Sequence, residues 1–306
     1  MKRAVFITGI AGLLGSNIAY ILRDRYRISG MDRNPIRIKG VNNRVGSVLN
    51  YDALRSMILQ DRPDYLIHCA ALVNLDRCEE VPDEAWELNY QLTKFLADLC
   101  GEIHCKMIFI SSDAVFAGNV AGLNSETTPV APISVYGKTK AAAEQEVLKN
   151  PRGLVVRTNI YGYNFRDKSS FGEWIKNTLE SQLELNMFTD LWFSPILVNE
   201  LTEILAMCME QDVSGLYHIC STGSISKYDM AVEIQKVFGL LGTINKASMK
   251  HFAFKAPRTQ NMGMDNTAIR ERLGISIDTP EESVVRFKKL WDEGYPKQLK
   301  KGGYDE

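Results

Sequence analysis

One stretch near the N-terminus decides the fold: Thr8-Gly9-Ile10-Ala11-Gly12-Leu13-Leu14-Gly15. It follows an apolar run at residues 4–7 and opens an amphipathic segment at residues 13–23, so we predict a strand, a glycine turn and a helix. Gly9 permits the tight turn, Gly12 lets the backbone approach a pyrophosphate, and Gly15 allows close helix packing. The helix N-terminus adds free N–H groups and a positive dipole. We expect a dinucleotide to bind at Gly9, Ala11, Gly12, Leu13, Leu14 and Gly15.

Short apolar runs alternate with helical patterns through the first half of the chain. We predict strands at residues 4–7, 27–31, 41–45, 64–68, 106–110 and 153–157, and helices at 13–23, 51–59, 83–100 and 134–149. This alternation is typical of a parallel sheet covered on both faces. It predicts an α/β fold with a doubly wound, Rossmann-type sheet in residues 1–160. Residues 161–306 are expected to form mainly a smaller C-terminal substrate-binding lobe, with some segments returning to the main sheet.

The end of the second predicted strand carries two side chains that point to different cofactors. Asp32 lies about twenty residues beyond the glycines, where a carboxylate accepts hydrogen bonds from the adenosine ribose and favours NAD. Arg33 follows it, and a guanidinium suits the 2′-phosphate of NADP. The sequence therefore predicts NADP or NAD and leaves the choice open.

Tyr136-Gly137-Lys138-Thr139-Lys140 predicts an acid–base pair on a helix. The spacing of four residues puts Tyr136 and Lys140 on one helical face. A free phenol has a pKa of about 10, so we expect the Lys140 cation to lower the Tyr136 pKa. Lys140 is also expected to bind the nicotinamide ribose. Ser112 ends an apolar strand, and ligands bind beyond the carboxyl ends of parallel strands, so we expect it beside Tyr136.

Composition gives no sign of a strongly charged partner. The 306 residues are 45% hydrophobic and 24% charged, with a formal net charge of -1. This balance gives no reason to expect binding to nucleic acid or to an anionic membrane. The apolar stretch at residues 4–22 contains three glycines and several polar residues, which disfavours a signal peptide or membrane helix. We expect a cytoplasmic protein.

The cysteines and histidines do not predict a metal site. None of the six cysteines forms a Cys-x-x-Cys pair, and the four histidines are scattered through the sequence. We expect reduced thiols and no bound metal.

Several stretches together resemble the extended short-chain dehydrogenase/reductases, and within them the dTDP-4-dehydrorhamnose reductase (RmlD-like) family. The resemblance covers residues 8–274. The family's I-S-T-D-Y-V-F-x-G motif is similar to Ile110-Ser-Ser-Asp-Ala-Val-Phe-Ala-Gly118. Its V-D-x-A-E…P…A…N segment is similar to Leu75-Asp76-Arg77-Cys78-Glu79 with Pro82, Ala85 and Asn89. Its later signatures are similar to Gly215-Leu-Tyr-His218 and to Arg258 with Met264-Asp265-Asn266.

This resemblance implies an NAD(P)-dependent oxidoreductase that transfers hydride to a nucleotide-linked 4-keto-6-deoxy sugar. It implies that the catalytic residues are Ser112, Tyr136 and Lys140. It adds Ala70 and Ala71 to the cofactor contacts, beside Tyr136 and Lys140. The substrate contacts that it implies are Ser112, Asp113, Ala114, Asn159 and Arg258. A homodimer is expected by analogy with this architecture alone.

Two departures from the family pattern leave the sugar itself open. The tyrosine of the family's S-T-D-Y is Ala114 here, and the segment Arg157-Thr-Asn-Ile-Tyr-Gly162 is one residue shorter and lacks the tryptophan. Two alternatives to a reductase remain. One is a sugar-nucleotide epimerase or dehydratase on the same scaffold, and the other is a non-catalytic regulatory subunit that retains the fold.

Overall fold

The structure is a computed structural model that describes residues 2–118 and 121–304. Its strands, in chain order, are β1 (Ala4–Thr8), β2 (Arg27–Asp32), β3 (Asn42–Val45), β4 (Tyr65–His68), β5 (Lys106–Ile110), β6 (Leu154–Arg157), β7 (Ile160–Tyr161), β8 (Leu185–Phe188), β9 (Trp192–Phe193), β10 (Ile196–Leu197), β11 (Gly215–His218), β12 (Ile225–Ser226), β13 (Ile244–Ala247) and β14 (Asn261–Met262).

The same residues also form α-helices. In chain order they are α1 (Leu13–Leu22), α2 (Tyr51–Asp61), α3 (Leu75–Glu80), α4 (Pro82–Trp86), α5 (Leu92–Glu102), α6 (Val135–Leu148), α7 (Phe171–Glu180), α8 (Val198–Glu210), α9 (Lys227–Phe238), α10 (Thr267–Leu273), α11 (Pro280–Asp292) and α12 (Tyr295–Lys301). A π-helical segment, Glu87–Gln91, joins α4 to α5, and 3-10 turns cover Asp113–Val115 and Met249–His251.

A seven-stranded parallel sheet forms the centre of the molecule. Its strand order is β11-β6-β5-β4-β1-β2-β3, and every neighbouring pair is parallel. The order of the first six strands is that of doubly wound dinucleotide-binding sheets. The winding reverses between β1 and β4, so the carboxyl ends of these two strands open a crevice. The predicted α/β, doubly wound fold is confirmed.

Apolar side chains cover both faces of this sheet. Because successive residues of a strand point to opposite faces, Val5 and Ile7 of β1 join one core while Phe6 joins the other. The first core contains residues of α1 and α8, and the second contains residues of α2, α5 and α6. These helices hold the carboxyl ends of the strands at one edge, where ligands bind in this fold class.

The second half of the chain contributes both to the main sheet and its covering helices and to a separate C-terminal lobe. Strand β11 pairs with β6 at the edge of the main sheet, and α8 packs against α1. A third apolar core, around Tyr163 and Phe287, fills the remaining lobe with residues of α7, α9 and α11. Small strands complete this lobe through the pairs β8–β13, β9–β12 and β9–β14. The division at residue 160 stays a prediction.

The helix predicted over residues 83–100 is broken in the structure by the π-helical segment Glu87–Gln91. This segment carries Asn89, whose side chain is fully buried. The amide oxygen accepts from the Leu72 N–H at 2.8 Å, and its NH2 donates to the Leu72 carbonyl at 3.1 Å and to Thr139 Oγ1 at 3.1 Å. Asn89 therefore ties the loop after β4 to α6, an arrangement that apolar periodicity does not reveal.

Most of the cysteine thiols lie in the interior of the protein. All six cysteines are free, and all except the partly exposed Cys69 are buried. Among the described residues, no helix is both long and apolar enough to cross a membrane. The same residues contain no group of three or more potential metal-ligating side chains.

Candidate active site

The glycine turn between β1 and α1 is built by close backbone approaches. Gly9 has φ +72°, and a Cβ there would lie 2.8 Å from the Ala70 nitrogen. A Cβ on Gly15 would lie 2.3 Å from the Gly9 carbonyl oxygen, so these two glycines are required by the fold itself. A Cβ on Gly12 would meet only the Gly9 carbonyl oxygen, at 3.2 Å, among the described atoms. Gly12 therefore leaves open space where α1 begins.

Asp32 and Arg33 lie beside this turn at the end of β2. One Asp32 carboxylate oxygen accepts from the Ala11 N–H at 3.2 Å, and the other accepts from the Asn34 N–H at 2.9 Å. Arg33 is exposed and forms no hydrogen bond or salt bridge within residues 2–118 and 121–304. Its guanidinium is thus available to an anion at the edge of the crevice.

The end of β5 positions a chain of polar groups. Ser112 caps the 3-10 turn, accepting from the Ala114 N–H at 3.1 Å, and its hydroxyl donates to Asp113 Oδ1 at 2.9 Å. The Asn159 amide donates to Asp113 Oδ2 at 2.6 Å. The structure therefore brings together three of the predicted substrate contacts. The fourth, Ala114, is buried against Tyr136 in a small apolar cluster.

Helix α6 carries Tyr136 and Lys140 to the same place. Ser134 caps the helix by accepting from the Gly137 N–H at 3.2 Å. Gly137 faces the 3-10 turn so closely that a Cβ would lie 2.2 Å from the Ala114 carbonyl oxygen. This contact presses the first turn of α6 onto the end of β5. As a result, Ser112 lies near enough to the Tyr136 phenol to oppose the rise in its pKa that burial causes.

Burial has the largest effect on the pKa values of Tyr136 and Lys140. It raises the pKa of the Tyr136 phenol, against the smaller lowering effect of Ser112. Burial also lowers the pKa of Lys140 to about 7, although Glu144 opposes this change. The expected lowering of the Tyr136 pKa by Lys140 is not found. The Lys140 ammonium instead lies over the Phe109 ring, 4.0 Å from its centroid.

A buried ion pair joins α6 to β6. The Arg157 guanidinium donates to both Glu144 oxygens, at 2.9 and 2.7 Å, and the Ser111 hydroxyl donates to Glu144 Oε1 at 2.5 Å. Glu144 follows Lys140 by one helical turn, so its charge favours the protonated lysine. Arg157 and Glu144 are almost fully buried, and removing either partner would leave a buried charge unpaired.

His68 under the crevice is a structural residue. Its ring nitrogens lie 2.6 Å from Thr8 Oγ1 and 3.0 Å from Thr93 Oγ1. Burial and the Lys140 charge lower the His68 pKa to about 3, so the ring is neutral. A neutral ring with both nitrogens bonded leaves no free group for catalysis.

The remaining predicted contacts, Ala70, Ala71 and Arg258, lie in loops. Ala70 packs against Gly9 at the start of the loop after β4, and Ala71 is partly exposed next to it. Arg258, by contrast, forms a salt bridge with Asp76 at 2.8 Å and packs over the Phe254 ring. Its neighbour Thr259 donates to the Phe116 carbonyl at 3.3 Å, which joins this loop to the segment after β5.

Comparison with known proteins places this architecture in a family. A family model for the RmlD substrate binding domain matches residues 1–291. The chain belongs to this family. A dTDP-4-dehydrorhamnose reductase of Aggregatibacter actinomycetemcomitans is 26% identical over 293 residues, which are 89% of this chain and 93% of that protein. The predicted resemblance is confirmed.

Two further relatives widen the comparison. The crystal structure of dTDP-4-dehydrorhamnose reductase from Bacillus anthracis, in complex with NADP, superposes with a TM-score of 0.86 at 26% identity. The match covers 94% of this chain and 99% of that one. Methionine adenosyltransferase 2 subunit beta of Mus musculus is 28% identical over 311 residues, covering 95% of this chain and 88% of that protein. The relatives of this chain therefore include proteins named as reductases and a protein named as a subunit.

Sequence patterns missed several residues of this site. They are Lys227 of α9, which is distant in sequence from Asp113, and Glu144, which lies one helical turn after Lys140 and pairs with Arg157. The charge of Glu144 one turn after Lys140 is a local signal for the second of these. No local signal places Lys227 near Asp113, because that proximity depends on how the C-terminal lobe packs.

Proposed function

We propose that this chain is a reductase that uses NADPH or NADH to reduce a nucleotide-linked 4-keto-6-deoxy sugar. The observation that carries the proposal is the convergence of Ser112, Tyr136 and Lys140 beyond the carboxyl ends of the sheet, beside the glycine turn. Membership of the RmlD family supports the substrate class. The cofactor proposal is supported by the NADP complex of the Bacillus anthracis relative.

The glycine turn fits a dinucleotide. Gly12 begins α1 without a side chain, so the N–H groups of Leu13 and Leu14 and the positive helix dipole are available to a pyrophosphate. Asp32 suits a ribose hydroxyl and the exposed Arg33 suits a 2′-phosphate. When bound, the nicotinamide supplies the hydride.

The side chains then have separate roles in the reduction. Tyr136 donates its proton to the ketone oxygen as negative charge develops there. Its raised pKa keeps the phenol protonated before the reaction. Ser112, whose hydroxyl donates to Asp113 in the free protein, turns this proton to the same oxygen when substrate binds, and Lys140 holds the ribose. Metal ions have no part in this scheme.

A substrate screen tests the proposal directly. Purified protein is mixed with nucleotide-linked keto sugars and either NADPH or NADH, and the absorbance of the reduced cofactor is followed. We expect at least one 4-keto-6-deoxy sugar nucleotide to be reduced. Binding of cofactor without oxidation by any member of the panel would contradict the proposal.

Arg33 is expected to select for NADPH. Arg33→Met should raise the KM for NADPH by about 10- to 100-fold, because one charge-assisted contact to the 2′-phosphate is lost. The KM for NADH should change little, since NADH lacks that phosphate. Steady-state kinetics with both cofactors provide the measurement, and Arg37→Met is the control because Arg37 is an exposed cation on the same segment. Equal changes for the two cofactors would show that Arg33 does not contact the phosphate.

Cofactor affinity is expected to fall as pH rises through about 7, the pKa of Lys140 in the free protein. Below this pKa, Lys140 is an ammonium that donates to the ribose and attracts the phosphates; above it, the neutral amine binds them less well. A loss of about tenfold corresponds to one charge-assisted hydrogen bond. Fluorescence titration of NADPH at a series of pH values measures it. Lys140→Met should remove this dependence, and the same pH profile in that variant would assign it to another group.

A regulatory or binding subunit is the second candidate. It is favoured by the likeness to methionine adenosyltransferase 2 subunit beta, which covers nearly the whole chain. This function requires cofactor or partner binding but not a proton donor. The two candidates differ in the screen, because a subunit without activity would bind NADPH and leave every keto sugar unchanged. A homodimer is part of neither argument and stays a prediction.

A further inference from the structure

Lys227 occupies a position that its own helix does not explain. It is the first residue of α9, directly after the cap Ser226. A positive charge at a helix N-terminus faces the positive end of the helix dipole, which is unfavourable. The side chain is nevertheless partly buried, with its ammonium 3.3 Å from the Phe193 ring centroid and 3.9 Å from that of Phe171. Two aromatic rings therefore hold a desolvated cation at a fixed place.

Hydrogen bonds link the segment under this cation to Asp113: Asn159 donates to Asp113 Oδ2 at 2.6 Å, and its carbonyl accepts from the Ile196 N–H at 2.8 Å, three residues after Phe193. Burial raises the pKa of Asp113, and the Lys227 charge opposes this rise; burial lowers the pKa of Lys227 to about 7, and the Asp113 charge opposes this fall. Yet no salt bridge of 4.0 Å or less joins them, and the Lys227 ammonium has no hydrogen bond to the described residues. The Asp113 carboxylate is held by Ser112 and Asn159. The two groups therefore influence each other electrostatically without forming a direct ion pair.

We propose that Lys227 and Asp113 together bind a neutral hydroxyl group of the substrate sugar, on a carbon next to the ketone. A hydroxyl is both donor and acceptor, so it donates to the Asp113 carboxylate while it accepts from the Lys227 ammonium. A carboxylate substituent would be repelled by Asp113, and an ammonium substituent by Lys227. The position follows because Asp113 bonds directly to Ser112, the group that receives the ketone oxygen. The inference rests on the proposed function.

The test compares two substrates in two variants. Lys227→Met keeps an unbranched side chain between the two rings and removes the charge. Lys246→Met is the matched control, since Lys246 is an exposed cation over the Tyr228 ring in the same lobe. The substrates are a keto sugar nucleotide with a hydroxyl next to the ketone and its deoxy analogue. NADPH titration checks that each variant is folded and binds cofactor.

We expect Lys227→Met to lower kcat/KM for the hydroxylated sugar by about 10- to 100-fold, the effect of one hydrogen bond to a charged group. The deoxy analogue should change by less than about threefold, because it makes no such bond. Lys246→Met should change neither. Equal losses for both substrates, or no loss, would overturn the inference. Lys227→Gln replaces Lys227→Met if the latter does not fold.

Failure of the proposed function would be distinguishable from failure of this inference. If the wild-type protein reduces no keto sugar, the proposed function fails. The hydroxyl site is then tested by calorimetry with NADPH-loaded protein and the corresponding alcohol sugar nucleotide. Weaker binding by Lys227→Met, confined to the hydroxylated ligand, supports the site. Equal binding by wild type and variant, including no binding by either, overturns it.

Discussion

Replacing Tyr136 with phenylalanine is expected to lower kcat by about 10²- to 10⁴-fold, the range that general acid catalysis contributes. Of the predicted trio, the phenol is the group that we expect to give its proton to the ketone oxygen, since its raised pKa keeps it protonated at neutral pH. Lys140 lies over Phe109, and Ser112 donates its own proton to Asp113. Since Phe fills the same apolar cluster, the variant should fold and bind NADPH as the wild type does.

Steady-state kinetics beside an NADPH titration measure this effect. Tyr90→Phe is the matched control, because Tyr90 bonds Glu146 at 3.3 Å away from the site and should keep full turnover. Near-normal turnover by Tyr136→Phe would remove Tyr136 as the acid. It would also remove the strongest reason to consider the chain a reductase.

Replacing Gly12 with valine is expected to abolish measurable binding of NADPH and NADH. The added Cβ would enter the open space at the start of α1, where it meets only the Gly9 carbonyl oxygen, at 3.2 Å. The protein should therefore fold, while the branched side chain blocks the approach of a pyrophosphate to the backbone. Fluorescence titration gives the affinity, and circular dichroism reports the fold.

The choice of glycine makes this prediction specific. Gly15→Val would not be informative, since its Cβ would lie 2.3 Å from the Gly9 carbonyl oxygen and disturb the turn itself. Gly101→Ala is the control, because no described atom lies within 4 Å of a Cβ there. Unchanged cofactor affinity in a folded Gly12→Val protein would show that the dinucleotide lies elsewhere.

The parts of the molecule that sequence predicts well are those set by local patterns. The glycine spacing from Gly9 to Gly15 indicated the first strand, turn and helix, and Gly15 lies so close to Gly9 within this turn that a Cβ would not fit. The helices predicted at residues 51–59 and 134–149 are present as α2 and α6, and the side chains of Asn50 and Ser134 cap them. The spacing of Tyr136 and Lys140 likewise places them one turn apart on α6.

The parts that sequence missed depend on packing between distant segments. In the π-helical segment Glu87–Gln91, the Asn89 side chain forms hydrogen bonds with Leu72 and Thr139, which are distant from it in sequence. The salt bridge between Arg258 and Asp76 of α3 likewise joins segments far apart in sequence, and the substrate contact of Arg258 stays a prediction. The Tyr136 pKa was misjudged for a similar reason, since the degree of burial of the phenol follows from the contact between α6 and the 3-10 turn.

Deuterium transfer tests the central claim most directly. The wild-type protein is supplied with NADPH that carries deuterium at the hydride position and with a nucleotide-linked 4-keto-6-deoxy sugar, and the product is analysed by mass spectrometry and NMR. We expect deuterium on the former keto carbon, with one cofactor consumed per alcohol formed. An isomerised sugar without net consumption of cofactor, or a product that lacks deuterium, would contradict it and favour an epimerase.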